Sequence, residues 1–401
     1  MGVRREVSFR ELVDLPSTTY ATHVLYMYPA KFIPHVVRYA IDRYTKPGDW
    51  IFDPFAGYGT VAVEASLTGR NAILWDLNPI TELIVKASTF AGDVHLKDFE
   101  VEWDYHEVFM PRWEGVGYWY PKEFLEILSR VWGYWHYVVP KELKPVIAVP
   151  LLKVSRYFSY SDEKISKTYK SKRAIEKVEK LLRGNWHRLM VKKYWEFAER
   201  TYKKINEYKR MNPKRIEVVV EGGVDSLTKK LDRNVRLMIT SPPYLQAQEY
   251  IRSFKLELTW LGYSSDDLRR LASLEIPYND PPPTNIHSLL YHQIRKQVLR
   301  MNHDKLIQIY DAYFRSLIAF LNNNYDKVDI MAIFVGPVKL RELRVPIDEI
   351  LREHLENLGL QHEETLIDKI VTRRMFKTSV NPATGLPDER TPTEHLLIMR
   401  K

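Results

Sequence analysis

Apolar and polar residues along the chain follow two rhythms. From Phe32 to Tyr44 the apolar positions recur at helical spacing, and Lys46-Pro47-Gly48 closes the segment as a turn. Trp50 to Phe52 then reads as a short buried strand, Val61 to Thr68 as a helix stopped at Gly69, and Ala72 to Trp75 as a second strand ending at Asp76. Strand pattern returns over Ile216 to Val220, Val235 to Thr240, Asp329 to Val335, Glu364 to Val371 and His395 to Met399, with a helix over Pro346 to Leu358. Such alternation predicts an α/β fold built on a doubly wound, Rossmann-like sheet.

About 120 residues interrupt that sheet. Trp103 to Pro150 is rich in Trp and Tyr, with a helix expected over Pro121 to Trp132, and Lys164 to Arg210 reads as two or more basic helices. The expected organisation is a discontinuous sheet domain over 20–92 and 214–401 with a large, mainly helical, basic insertion over 93–213. The segment 264–304, which contains Pro281-Pro282-Pro283, is expected to be a loop, either mobile over the site or rigid on the surface.

Charge sharpens this division. The chain of 401 residues carries a net charge of +9, yet 151–215 alone holds 20 Lys plus Arg against 7 Asp plus Glu, so the remainder is about four charges negative. A hydrophobic share of 45% supports a sizeable core. There is no run of about 18 apolar residues and no signal-peptide pattern over Met1 to Arg10, which predicts a cytoplasmic protein without a membrane anchor. With no Cys, every route through a thiol nucleophile is closed.

Two motifs carry chemistry. The first, Asp53-Pro54-Phe55-Ala56-Gly57-Tyr58-Gly59-Thr60, follows a strand and opens a helix. Glycines there let the backbone turn sharply and approach a ligand with no Cβ in the way, beside the free amides of the helix start. A dinucleotide site would want a third glycine where Val61-Ala62 stand. Asp76, 23 residues beyond Asp53 at the tip of the next strand, is placed to accept hydrogen bonds from ribose hydroxyls. The second motif, Ser241-Pro242-Pro243-Tyr244, follows the strand ending at Thr240. Two prolines force the chain out of the sheet on a rigid, extended path at the edge where ligands bind.

With both motifs in hand, the sequence resembles the S-adenosylmethionine-dependent amino-methyltransferases of the DNA methylase N-4/N-6 type. The resemblance covers roughly half the chain and implies a class I methyltransferase sheet. It places Asp53, Pro54, Phe55, Ala56, Gly57, Gly59 and Thr60 at the cofactor's methionine part, Asp76 at its ribose, and Asp225 near its adenine, although Asp225 could equally cap its own turn. Tyr28, Pro29 and Phe32, in Tyr28-Pro29-Ala30-Lys31-Phe32-Ile33-Pro34, correspond to an upstream element bordering the same pocket; Thr22 and His23 just before it are further candidates. Ser241, Pro242, Pro243 and Tyr244 become the catalytic motif. In that role the Ser241 side chain and the Pro242 carbonyl would accept both N–H groups of a base amine, and Tyr244 would stack on a base swung out of its strand.

Within the family, S-P-P-Y tends to accompany methylation at cytosine-N4, and D-P-P-Y or N-P-P-Y that of adenine-N6 or glutamine amides. Cytosine-N4 is therefore the expected target, with adenine-N6 open. Methylation at cytosine C5 needs a covalent thiol and is excluded. No metal is expected, since no H-E-x-x-H or clustered ligand spacing occurs. In the insertion, Arg156, Lys164, Lys167, Lys170, Lys172, Arg173 and Lys177 are interleaved with Tyr157, Phe158, Tyr160 and Tyr169, a composition suited to phosphates and unpaired bases. A solvated basic helix face would look the same. DNA is the substrate that the resemblance favours; structured RNA offers the same amine. A nucleic-acid-binding protein without catalysis is a further alternative, against which the intact motifs speak.

Overall fold

A computed structural model describes residues 2–163, 165, 167–245, 249–277, 279–369 and 393–401. Among these residues the strands are β1 (Val3–Val7), β2 (Trp50–Asp53), β3 (Asn71–Asp76), β4 (Val218–Gly222), β5 (Val235–Thr240), β6 (Val328–Val335), β7 (Val338–Leu340), β8 (Leu343–Val345), β9 (Gln361–Lys369) and β10 (Thr393–Arg400). Eight of them form one sheet in the order β1-β9-β10-β6-β5-β2-β3-β4, while β7 and β8 pair apart. The strands from β6 to β4 run parallel, β10 lies antiparallel between β6 and β9, and β1 adds to β9 in parallel.

The sheet is covered on both faces because its strands alternate between two cores. Ile51, Leu74, Leu237, Ile239, Ile330 and Ala332 join helices Pro34–Tyr44 and Thr60–Thr68 on one side. Phe52, Ile73, Trp75, Met238, Met331 and Ile333 join helices Leu289–Arg300, Asp304–Asn324 and Ile347–Asn357 on the other. From β2 the chain moves outward through β3 to β4 and then returns to β5 on β2's other flank. That reversal opens a crevice at the carboxyl ends of β2 and β5, the place where doubly wound sheets bind ligands.

A third core belongs to the helical layer. Helices Lys122–Tyr137, Lys144–Tyr157, Lys172–Leu182 and Trp186–Arg210 bury Phe124, Trp132, Leu151, Phe158, Val178 and Tyr194. The same core takes in Ile251, Phe254, Trp260 and Leu271 from helices Tyr250–Ser253, Lys255–Trp260 and Ser265–Ser273, so a piece of chain following β5 packs with the insertion. Among the described residues no helix is long and apolar enough to cross a membrane.

Two elements depart from the sequence reading. Strand β1 was not anticipated: Val-Arg-Arg-Glu-Val shows no apolar alternation because four of its five residues face solvent at the sheet's edge, where charge keeps a strand from pairing with other chains. The segment 264–304 is mostly ordered as helices Ser265–Ser273 and Leu289–Arg300, leaving a non-helical stretch only between them. The expected strand end at Val371 lies outside the described residues.

Candidate active site

The glycine turn sits at the mouth of the crevice. Gly57 and Gly59 both take positive φ, 53° and 83°, which a side chain would strain. Space decides as firmly as torsion: a Cβ on Gly57 would stand 3.1 Å from the Tyr28 ring, and one on Gly59 2.2 Å from Val85 Cγ2. Gly59→Ala should therefore cost the fold at least about 2 kcal/mol, read as a lower urea midpoint. Combined with Val85→Ala, it should cost less than the sum of the two single changes.

Asp76 locks the turn to the neighbouring strand. One carboxylate oxygen accepts the Gly57 amide at 2.6 Å and the other the Asn78 amide at 2.7 Å. Burial pushes this carboxyl up to about 6, against the pull of those two amides. Asp53 is more deeply buried and does not line the crevice. It accepts the Thr240 hydroxyl at 2.7 Å and the Phe55 amide at 3.2 Å, and burial pushes it up to about 7. The Thr240 bond matters most, because it ties the end of β5, just before Ser241, to the first residue of the glycine motif.

One pocket gathers most of the expected site residues. Tyr28, Pro29, Phe32, Phe55, Ala56, Gly57, Asp76 and Asp225 line it together with Ser241 and Pro243. Pro54, Gly59 and Thr60 stand behind the wall: the Pro54 carbonyl accepts the Ser226 hydroxyl, and the Thr60 hydroxyl donates to the Phe32 carbonyl. Pro242 is buried, and the half-buried Tyr244 donates its hydroxyl to Glu394 on β10 at 3.0 Å. Thr22 and His23 are fully buried and turn elsewhere, Thr22 to the Ser88 carbonyl and His23 to Glu64 at 2.7 Å.

Among the wall residues that sequence reasoning missed, four are charged or aromatic. Lys31 is the one Lys or Arg lining the pocket among the described residues; burial lowers its ammonium to about 8. Tyr58 carries that ammonium over its ring at 4.4 Å. Tyr250 and Glu275 come from the helical layer. Glu275 is buried, accepts the Ile251 amide at 2.9 Å and is pushed up to about 7, chiefly by burial. The signal that could have found it is a lone acid between Leu274 and Ile276, at the end of an amphipathic helix.

The basic segment is less available to a polymer than its composition suggested. Arg156 is a correction: it is buried, pairs with Glu257 at 2.8 Å and donates to the Ser253 carbonyl at 3.1 Å, so no phosphate reaches it. Arg173 pairs with Asp162, and the partly buried Lys177 with Glu163 at 2.6 Å. Lys167 pairs with Glu249 at 3.3 Å, and Lys170 lies over the rings of Tyr118 and Tyr160 at 4.3 and 4.0 Å. Lys172 is exposed, and Lys164 lies outside the described residues. Among the aromatics, Phe158 is core and Tyr169 is 52% exposed.

The doubly wound sheet, the glycine turn at its reversal and the acid at the tip of β3 form a crevice of the kind in which α/β folds bind nucleotide-like ligands. Residues 11–87 match a family described as DNA methylase. The type II methyltransferase M.MvaI of Kocuria varians is 21% identical over 96% of this chain and 92% of its own length. M.BsoBI of Geobacillus stearothermophilus, also a type II methyltransferase, is 24% identical over 82% of this chain and 64% of its own. A third, M.MjaII of Methanocaldococcus jannaschii, is 34% identical over 21% of this chain and 16% of its own. An rRNA methyltransferase from Streptomyces viridochromogenes aligns over 94% of this chain and 89% of its own, at 9% identity and a TM-score of 0.31, too loose a likeness to bear on substrate. The chain is thus similar to DNA methylases of the N-4/N-6 type over residues 11–87, and to type II methyltransferases over most of its length.

S-adenosylmethionine, the donor that this relationship implies, suits the pocket's chemistry. Its sulfonium and amino groups are cationic, and Asp76 and Asp225 line the wall. Phe55, Leu77, Leu227 and Ile276 offer apolar faces for a purine, and the bare backbone at Gly57 permits close approach. Asp76 and the Gly57 turn would hold it, with Lys31 beside its carboxylate end.

Proposed function

We propose that this protein transfers a methyl group from S-adenosylmethionine to the exocyclic amine of a nucleic-acid base, N4 of cytosine, in DNA. The observation that carries the reading is the Thr240 to Asp53 hydrogen bond, which fixes the Ser-Pro-Pro corner against the glycine turn so that both open on one pocket. When bound, the cofactor supplies an electrophilic methyl on a positively charged sulfur. Every other part belongs to the chain.

A base amine is a weak nucleophile because its lone pair is delocalised into the ring. The Ser241 side chain and the Pro242 carbonyl accept its two N–H groups, which returns the pair to nitrogen and aims it. Pro242 and Pro243 hold that corner rigid. Apolar walls exclude water, and the base reaches them by leaving its stack. Serine at the first position of the motif favours cytosine over adenine, and the type II methyltransferase relatives favour DNA over RNA. Lys167, paired with Glu249 beside helix Tyr250–Ser253, would meet phosphates next to a pocket wall, with Lys170 and Lys172 following in the same segment.

The test is to incubate the protein with labelled S-adenosylmethionine and either duplex DNA or ribosomal RNA, then digest and identify the labelled nucleoside. N4-methyldeoxycytidine is expected; an N4-methylated ribocytidine or N6-methyladenine would overturn the substrate or the base. Ser241→Ala should lower turnover by about ten- to a hundredfold while cofactor affinity holds, as loss of one hydrogen bond in the transition state requires. An unchanged rate would remove Ser241 from the mechanism.

A further inference from the structure

The proposed reaction leaves a proton to be placed, and the Ser-Pro-Pro corner has no base to take it. As the amine nitrogen bonds to the methyl carbon, the carbon–sulfur bond breaks with its electron pair staying on sulfur. The nitrogen becomes positively charged and must shed one proton. Ser241 is a neutral alcohol and the Pro242 carbonyl is hardly basic, so neither accepts that proton at neutral pH.

Resting on that reading, we infer that Glu275 is the proton acceptor for the methylated amine. Its carboxylate is on the pocket wall with Ser241, Pro243 and Tyr250. Only 6% of it is exposed, and one of its oxygens is held by the Ile251 amide at 2.9 Å, which fixes the group in place. Tyr250 shares that wall with Ser241 and Pro243, so the acid opens on the same pocket as the Ser-Pro-Pro corner.

The other candidates are spent or misplaced. Asp76 has an amide on each oxygen and, in the proposed reading, is the acid that holds the cofactor's ribose. Asp53 lies below the wall, bonded to Thr240. Asp225 receives the Leu227 amide in its own turn past β4, with two strands between β4 and β5. Lys31 donates to the His23 carbonyl, and its ammonium has no lone pair to take a proton. Burial, then the charges of Glu249 and Asp76, push Glu275 up to about 7, against two backbone amides that pull it down. A group poised there takes a proton from a cationic amine and returns it to water without delay.

The measurement is the pH dependence of single-turnover methylation with saturating S-adenosylmethionine and DNA, for the wild type and Glu275→Gln, alongside cofactor affinity by calorimetry and thermal melting. Glutamine keeps a carbonyl for the Ile251 amide, so the wall should stay folded. In the wild type the rate should rise through about pH 7 and level off, and Glu275→Gln should lower it about a hundredfold and erase that inflection, with affinity and melting near wild type. A Glu275→Gln protein with the wild-type profile would overturn the assignment. So would one that loses rate only in proportion to lost cofactor affinity, which would make Glu275 a cofactor ligand. Should the variant not fold, a wild-type profile without an inflection near neutrality overturns it alone. Wild type that labels no base amine would bring down the proposed function itself, which separates the two failures.

Discussion

Arg156→Ala should cost the fold about 3–5 kcal/mol, because it leaves Glu257 buried and uncompensated. Arg156 is 6% exposed and Glu257 1%, and the pair is joined at 2.8 Å within the core of the helical layer. Tyr26 adds its hydroxyl to the same Glu257 oxygen at 2.8 Å, so the loss would reach the segment that leads into Tyr28 and the pocket. Urea denaturation reads the cost directly, and Arg156→Met with Glu257→Leu should recover most of it by removing both charges together. A phosphate-binding arginine would behave otherwise: the fold would be unmoved, and the slope of DNA affinity against salt would drop by about one charge. Finding that second pattern would reverse the placement of Arg156.

Asp76→Ala should weaken S-adenosylmethionine binding by about a hundred- to a thousandfold. Charged hydrogen bonds contribute about 1.5–3 kcal/mol each, and the substitution removes acceptors for the ribose and also frees the Gly57 and Asn78 amides that shape the turn. Calorimetric titration measures it, and an affinity within threefold of wild type would place the ribose elsewhere. A pH dependence accompanies the charge. The carboxyl lies near 6 in the free protein because burial favours its neutral form, and a cationic ligand favours the ionised form. Affinity should therefore rise as pH climbs through about 6 and fall by up to about tenfold per unit below it. Asp76→Asn should flatten that dependence.

What the sequence disclosed followed from how strongly each position is constrained locally. The strand at Trp50, the glycine turn and the strand ending in Asp76 were legible because backbone torsion and burial both act within a few residues. The sheet's central strands showed as apolar runs for the same reason. Strand β1 did not, since its partner β9 lies more than 350 residues away and its exposed side chains carry no period. Glu275 and Tyr250 reach the pocket only through the packing of the helical layer, which no short motif encodes. Arg156 shows the reverse error. Its neighbours made it look like part of a basic surface, and a carboxylate about a hundred residues on turned it inward.

Helix Tyr250–Ser253 touches two things at once. Inside, Tyr250 and Ile251 form part of the pocket wall; outside, the basic segment holds on to the helix, with Lys167 on Glu249 and the Thr168 hydroxyl on the Ser253 carbonyl at 3.0 Å. On the proposed function, a polymer that engages Lys167 would compete with Glu249 for it, next to the wall of the pocket. Coupling of this kind is reciprocal: if bound DNA tightens the hold on S-adenosylmethionine, the cofactor must tighten the hold on DNA by the same factor. On the same reading, cofactor and DNA would then meet across one short helix, each able to strengthen the other's hold.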